Sequence, residues 1–294
     1  MQSVEAVFER YENVRHRMPQ AKVAHQSTVI ASLLDIADRA DAFVFDAFGV
    51  LNVGDTPIEG AATRLDQLRE RGAAIRILTN AASYDRTGAI AKFASLGMSV
   101  ADEEIITSRD AALSAVPKGL LGCIALPEDK LADIPNQCVK LVDDAAEYAK
   151  VDAFLFLSSQ NWNDHRQSLL LKALQERPRP LLIANADLVA PRDSGLSLEP
   201  GHYGHLIADR GVVDVQFFGK PFSDVYDLVE ATLPDIAPNR IVMCGDTLHT
   251  DILGAAYRGW QTAFITQDGL FSGFDVRKFV EDSKLTPTWE MSRI

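Results

Sequence analysis

The chain has 294 residues, 47% of them hydrophobic and 24% charged, enough to bury a sizeable core in one large domain or two medium ones. Its formal net charge of -12 spreads an acidic surface that repels polyanions, so neither nucleic acid nor an anionic membrane is expected as a partner. A small anionic substrate stays open, because a local site with a bound cation overrides the global field. The cysteines Cys123, Cys138 and Cys244 are odd in number and contain no CxxC pair. That argues against a disulfide framework or a zinc knuckle and fits a reducing compartment. The start of the chain is too polar for a signal peptide, and no apolar run approaches the ~18–20 residues of a membrane span. The expectation is a soluble, cytoplasmic protein.

In chain order, residues 3–15 and 27–40 read as two amphipathic helices, packing on the core or on a partner chain; a homodimer is compatible with this. Short apolar runs then alternate with helical patterns. The predicted strands are 42–47, 74–79, 122–126, 139–143, 152–157, 180–185, 214–218, 240–245 and 262–266. Helical patterns lie at 59–71, 84–96, 164–176, 222–232 and 251–258, and 191–204 reads as a long loop. Continuous apolar strands alternating with helices predict an α/β protein with buried parallel sheet.

Three strands run into a polar residue: Asp46 after "FVF", Thr79 after "IRIL" and Asp246 after "IVMCG". In open α/β sheets ligands bind outside the carboxyl ends of the strands, so three neighbouring strands would bring these residues to one pocket. "FGKPFSDVYDLV" adds Lys220, with Pro221 suited to the first turn of a helix. "MCGDTLHTDILGA" adds Asp251 to Asp246. Two strand-end carboxylates suit Mg²⁺, which takes oxygen ligands together with substrate phosphate. A lysine and a hydroxyl hold phosphoryl oxygens, and an aspartate can be a covalent nucleophile.

The order and spacing of these segments resemble the haloacid dehalogenase (HAD) superfamily of aspartate-nucleophile phosphohydrolases. "FDAFGVL" resembles its first motif, "ILTN" its second, "GKP" its third and "GDTLHTDILGA" its fourth. The resemblance is to the class IIA branch of NagD-like and 4-nitrophenylphosphatase-like enzymes, with a large cap between the second and third motifs. "ANADLVAP" at 184–191 resembles the branch's "TNPD" segment, with alanine in place of proline, and 199–208 its "PGAG" segment. The resemblance implies a Rossmann-like core with a parallel sheet, residues 1–82 and 217–294, and an α/β (C2-type) cap, 83–216. It implies Asp46 as nucleophile and metal ligand, the Phe48 carbonyl and Asp246 as further Mg²⁺ ligands, and Asp251 in support of the metal or Lys220. Thr79 and Lys220 would bind the phosphoryl group, and Asn80, Asn185 and Asp187 would face the substrate. The implied substrate is a small phosphorylated metabolite of the sugar phosphate or nucleotide type.

One position departs from the pattern. Phe48 stands where the family's phosphatases carry the aspartate that protonates the leaving alcohol and later activates water. A positioned acid–base group contributes about 10²–10⁴-fold, so its loss should be felt most with alkyl leaving groups. Asp187, Asp55 and His249 are the candidate substitutes. Competing readings are another aspartate-nucleophile reaction such as dehalogenation, a phospho-metabolite-binding protein on the same frame, and a subgroup with an unnamed reaction. Other residues carry plainer readings. His202 and His205 lie in a cap loop, Trp162 packs, His249 is an exposed helix-start residue or lines the pocket, and Glu59 and Asp55 are turn or helix-start acids.

Overall fold

The structure is a computed structural model and describes residues 3–294. Its strands in chain order begin with β1 (Thr28–Val29), β2 (Ala42–Phe45), β3 (Asn52–Val53), β4 (Thr56–Pro57), β5 (Ala74–Thr79) and β6 (Ile105–Thr107). There follow β7 (Leu121–Ile124), β8 (Cys138–Lys140), β9 (Ala153–Phe156), β10 (Leu181–Ile183), β11 (Val189–Arg192) and β12 (Gly195–Leu198). The last are β13 (Val215–Phe217), β14 (Ile241–Gly245), β15 (Gln261–Ile265) and β16 (Trp289–Met291).

Seven of them form a parallel sheet in the order β1-β16-β15-β14-β2-β5-β6. β2 is fully buried, which is why "AFVF" is apolar without alternation. The chain winds from β2 toward β5 on one side and returns to β14 on the other, which creates a crevice at the carboxyl end of β2. A second parallel sheet, β13-β10-β9-β7-β8, forms the inserted cap. Two hairpins, β3–β4 from the core and β11–β12 from the cap, meet where Thr56 Oγ1 donates to Asp193 Oδ1 at 3.4 Å.

The N-terminal helix α1 (Val4–Val14) starts at Ser3, whose side chain accepts from Ala6 N. Its buried face, Val7, Phe8, Tyr11 and Val14, shares one apolar cluster with Leu188 and Val189 of the cap and Leu248, Ile252 and Phe271 of the core. α1 thus packs within its own chain and joins the two units. Tyr11 Oη accepts from Leu188 N at 3.1 Å, and Arg10 and Arg17 both pair with Asp209 of the cap.

Four sequence expectations need correction. Residues 27–40 form no α-helix: β1 pairs with β16, and only Leu33–Ile36 makes a 3-10 turn, capped by Ser32. The pairing is with a segment some 260 residues away, which local periodicity cannot register. The stretch 191–204 is no loop but hairpin β11–β12 followed by helix Pro200–Asp209, with proline at its first turn. Pro221 does not open a helix; the next one is Ser223–Ala231, and Lys220 lies in the turn before it. The cap boundary at 83 also fails, because β6 adds to the core sheet beside β5. A three-residue strand is too short to show a period. At the other boundary β13, reaching Phe217, belongs to the cap sheet.

His205 lies on helix Pro200–Asp209, buried and stacked on Phe217 at 4.2 Å, with Arg17 Nη1 donating to its Nδ1. Its Nε2 is buried without a partner among the described residues. Burial, then the nearby Arg17 and Arg10, push its pKa down to about 3. The unfolded imidazole titrates near 6.5, so below that pH the unfolded state binds the extra proton. The His205 contribution is therefore whole above 6.5 and is lost as pH falls toward 3. Its expected slope is at most about 1.4 kcal/mol per pH unit. Urea unfolding at pH 7 and pH 5 should show a smaller loss for His205→Phe than for wild type; equal losses would refute this.

Candidate active site

β2, β5 and β14 are neighbours, so the strand ends that carry Asp46, Thr79 and Asp246 lie side by side. The β2 ladder continues one step as Asp46 N donates to Cys244 O at 2.9 Å, which fixes the backbone of Asp46 against β14. The chain then turns sharply. Ala47 O accepts from Leu51 N and Asn52 N, and Gly49 takes φ +81. A Cβ at Gly49 would stand 2.6 Å from Asp246 Oδ2, so glycine answers both to the backbone angle and to the room around that carboxylate.

One oxygen from each of Asp46, Asp246 and Asp251 lies within 4.8 Å of the others. Asp246 follows β14, and its Oδ2 accepts from Leu270 N at 2.6 Å. Asp251 is held by the π-helical turn Leu248–Ile252, where its Oδ2 accepts from Thr247 N at 3.0 Å. π turns are rare and recur at functional sites. Lys220 Nζ pairs with Asp46 Oδ1 at 2.6 Å and Asp251 Oδ1 at 2.7 Å. Lys220 and Asp251 are fully buried, Asp46 nearly so. Burial pushes the Asp46 carboxyl up to about 6 against the pull of Lys220, with Asp251 adding to the rise. Burial, then Asp251 and Asp46, raise Asp246 well above its ordinary value. Burial alone would lower Lys220, yet Asp251, Asp46 and Asp187 together raise it. Three buried acids thus face one lysine. An all-oxygen, all-carboxylate donor set of this kind fits a hard divalent cation.

Thr79 is buried at the end of β5, where its Oγ1 accepts from Ala81 N at 3.1 Å. Asn80 does not stand free toward a substrate. Its Oδ1 accepts from Lys220 N at 2.7 Å, and its Nδ2 donates to Lys220 O and to Asp187 Oδ1 at 3.0 and 2.8 Å. It ties the third motif to the cap. Asn185 Oδ1 accepts from Asp187 N in an Asx turn, and its Nδ2 donates to Glu199.

A cavity of about 490 Å³ lies between core and cap; its lining includes Phe48, Tyr84 and Lys92 from the core and Asn185, Asp187 and Arg192 from the cap. Asp46, Thr79, Lys220 and Asp246 are not in that lining, so the cavity adjoins the carboxylates rather than enclosing them. The Phe48 ring lies under two cations, Lys92 Nζ at 5.5 Å and Arg192 Cζ at 4.6 Å from its centre.

The other proposed residues sort differently. His249 is buried and neither exposed nor in the cavity lining: it stacks on Tyr11 at 4.9 Å and meets Glu12 Oε1 at 2.6 Å. Asp55 is 91% exposed in its side chain and pairs with Lys92. Trp162 packs on Phe156 and donates to Gln167. His202 and His205 lie on a helix, not in a loop. Sequence reasoning missed Arg109. It is fully buried, pairs with Asp129 and Asp133 of the cap at 2.6 Å each, and donates to Ala82 O at 3.1 Å. Only its place beside a strand too short to detect could have signalled this.

Such a sheet, with a strand-end acid cluster under an inserted α/β cap, defines a capped α/β enzyme of the Rossmann-like type. A model of the haloacid dehalogenase-like hydrolases matches residues 43–123, and a HAD-hydrolase-like model matches 217–286. Phosphoglycolate phosphatase 1A of Arabidopsis thaliana is 37% identical over 95 residues, 32% of this chain and 25% of that protein. This chain thus spans about a quarter of the length of that phosphatase. Haloacid dehalogenase-like hydrolase domain-containing protein 2 of Rattus norvegicus is 26% identical over 253 residues, 83% of this chain and 91% of that one. A possible sugar phosphatase of the HAD superfamily from Cytophaga hutchinsonii shares the fold, with a TM-score of 0.78 at 23% identity over 90% of this chain and 97% of that one. The chain belongs to the haloacid dehalogenase-like hydrolases. No helix among the described residues is long and apolar enough to cross a membrane.

Proposed function

We propose that this chain is a Mg²⁺-dependent phosphohydrolase of the class IIA branch, acting on a small phosphomonoester through an aspartyl-phosphate on Asp46. The observation that carries the reading is the buried cluster of Asp46, Asp246, Asp251 and Lys220 at the ends of adjacent parallel strands. Asp46, Asp246 and the Phe48 carbonyl would hold the cation, with Asp251 holding Lys220 in place. When bound, Mg²⁺ supplies charge neutralisation at the phosphoryl oxygens. Lys220 and the Thr79 hydroxyl bind phosphoryl oxygens and keep the phosphorus in line with Asp46. Asn80 and Asn185 hold the cap segment that carries Asp187, and the cap excludes water from the cleft. A cavity of about 490 Å³ suits a metabolite such as a sugar phosphate or a nucleotide.

Phosphate release from 4-nitrophenyl phosphate, with and without Mg²⁺, tests this reading. Release that requires Mg²⁺ is the expected result. Folded protein that binds Mg²⁺ yet frees no phosphate from an aryl or alkyl ester panel would defeat it.

A further inference from the structure

We propose that Asp187, carried over the cleft by the cap, protonates the leaving oxygen in place of the acid that Phe48 lacks. The assignment rests on the phosphohydrolase reading above.

Two carboxylates line the cavity, Asp187 and Glu199. Glu199 is committed: Oε1 accepts from Ser197 Oγ at 2.6 Å and Arg192 Nη2 at 3.0 Å, and Oε2 accepts from Asn185 Nδ2 at 3.2 Å. Both of its oxygens are taken, by an arginine and two further donors, so neither is free to meet a leaving oxygen. Asp55 is solvent-exposed and paired with Lys92. His249 of the fourth motif is outside the cavity lining, held by Glu12 and stacked on Tyr11. Asp187 is the cavity's one carboxyl not paired with a cation among the described residues.

Its placement is defined from three sides. Asn80 Nδ2 reaches its Oδ1 at 2.8 Å, and the same Asn80 grips both backbone groups of Lys220. Asn185 Oδ1 takes the Asp187 N–H at 2.9 Å. Tyr11 Oη takes the N–H of Leu188 next along the chain. The carboxyl is thereby held in register with the lysine expected to bind the phosphoryl group, while it still lines the cavity that Phe48 also lines. Burial raises the Asp187 pKa well above the ordinary value, outweighing the pull of Lys220, and Asp46 adds to the rise. A general acid at neutral pH needs that state.

An Asp46 carboxylate oxygen bonds to phosphorus as the bond from phosphorus to the leaving oxygen breaks. The proton on the Asp187 carboxyl passes to that oxygen, and the alcohol departs. In the second half the Asp187 carboxylate takes a proton from the water that attacks the aspartyl-phosphate. Phosphate leaves, Asp46 is restored as carboxylate, and Asp187 is again protonated.

Asp187→Asn keeps an oxygen that can accept from Asn80 but has no acidic proton. Rapid mixing reads the first turnover with an alkyl phosphate and with 4-nitrophenyl phosphate, whose leaving group needs no proton. The expected result is a first turnover slowed about 10²–10⁴-fold on the alkyl ester and less than about tenfold on the aryl ester. Labelled phosphoenzyme should also persist longer after the aryl burst. Adding Phe48→Asp to Asp187→Asn should restore alkyl turnover. Equal losses on both esters would show a purely structural role and overturn the assignment, as would no loss on either. So would a double variant that stays inactive on alkyl esters while Phe48→Asp alone turns them over. Wild type that frees phosphate from neither ester would overturn the hydrolase reading, and this assignment with it.

Discussion

Asp46→Asn is expected to lower phosphate release by about 10⁴-fold or more, the scale seen when a covalent nucleophile is removed from an intact site. The amide cannot form the aspartyl-phosphate, and it loses the anionic oxygen that meets Lys220 at 2.6 Å. The fold should survive, because Lys220 keeps Asp251 at 2.7 Å and one of three crowded buried carboxylates becomes neutral. Asp46→Asn should therefore unfold at the wild-type temperature or above in the absence of metal. It should also gain less stability than wild type when Mg²⁺ is added, since a cation that binds only the native state stabilises by mass action. Thermal unfolding with and without Mg²⁺, run beside the phosphate assay, reads both effects. Residual activity within tenfold of wild type would remove Asp46 as the nucleophile.

The second large effect concerns stability. Arg109→Ala should destabilise the protein by about 3–5 kcal/mol, because it strips a buried ion network of its cation. Asp129 is only 4% exposed in its side chain and would keep only the Leu131 N–H at 2.8 Å, and Asp133 would lose the same cation. For a chain of this size that corresponds to a fall in Tm on the order of 10 °C. Arg109 also donates to Ala82 O, at the point where the chain leaves β5 and the second motif. It thus pins the 126–134 segment of the cap to the core, and turnover should fall along with stability. Neutralising the stranded acid in Arg109→Met with Asp129→Asn should recover part of the loss. Urea unfolding of the three variants decides it; an Arg109→Ala loss below about 1 kcal/mol would show that the network contributes little.

The carboxylate site was largely legible in the chain because its signals are local. An apolar strand that is buried on both faces ends abruptly where the crevice begins, so "FVF" before Asp46, "IRIL" before Thr79 and "IVMCG" before Asp246 mark both strand and site. The structure then made these strands neighbours. The structure also sets Lys220 and Asp251 beside them, Lys220 meeting both Asp46 and Asp251. Phe48 was visible as a departure, and Asp187 was one of three candidate substitutes, but the choice among them needed the structure, which brings Asp187 to the cavity through the cap and leaves Asp55 exposed and His249 outside it.

The sequence by itself determined the α/β class, most of the longer strands and helices (the helix Pro200–Asp209 excepted), and which residues end the central strands. Each follows from periodicity, burial of a continuous run, or a breaker beside it, and all act over a few residues. Only the tertiary structure decided that Thr28–Val29, Ile105–Thr107 and Trp289–Met291 are strands, since a two- or three-residue segment becomes a strand through its partner. It alone turned the N-terminal helix into a bridge from the fourth motif to the cap, and Asn80 into a lock on Lys220 and Asp187. It alone buried Arg109 between two acids. These are contacts between distant segments, formed because buried polar groups must find partners, and no local pattern encodes which partner they find.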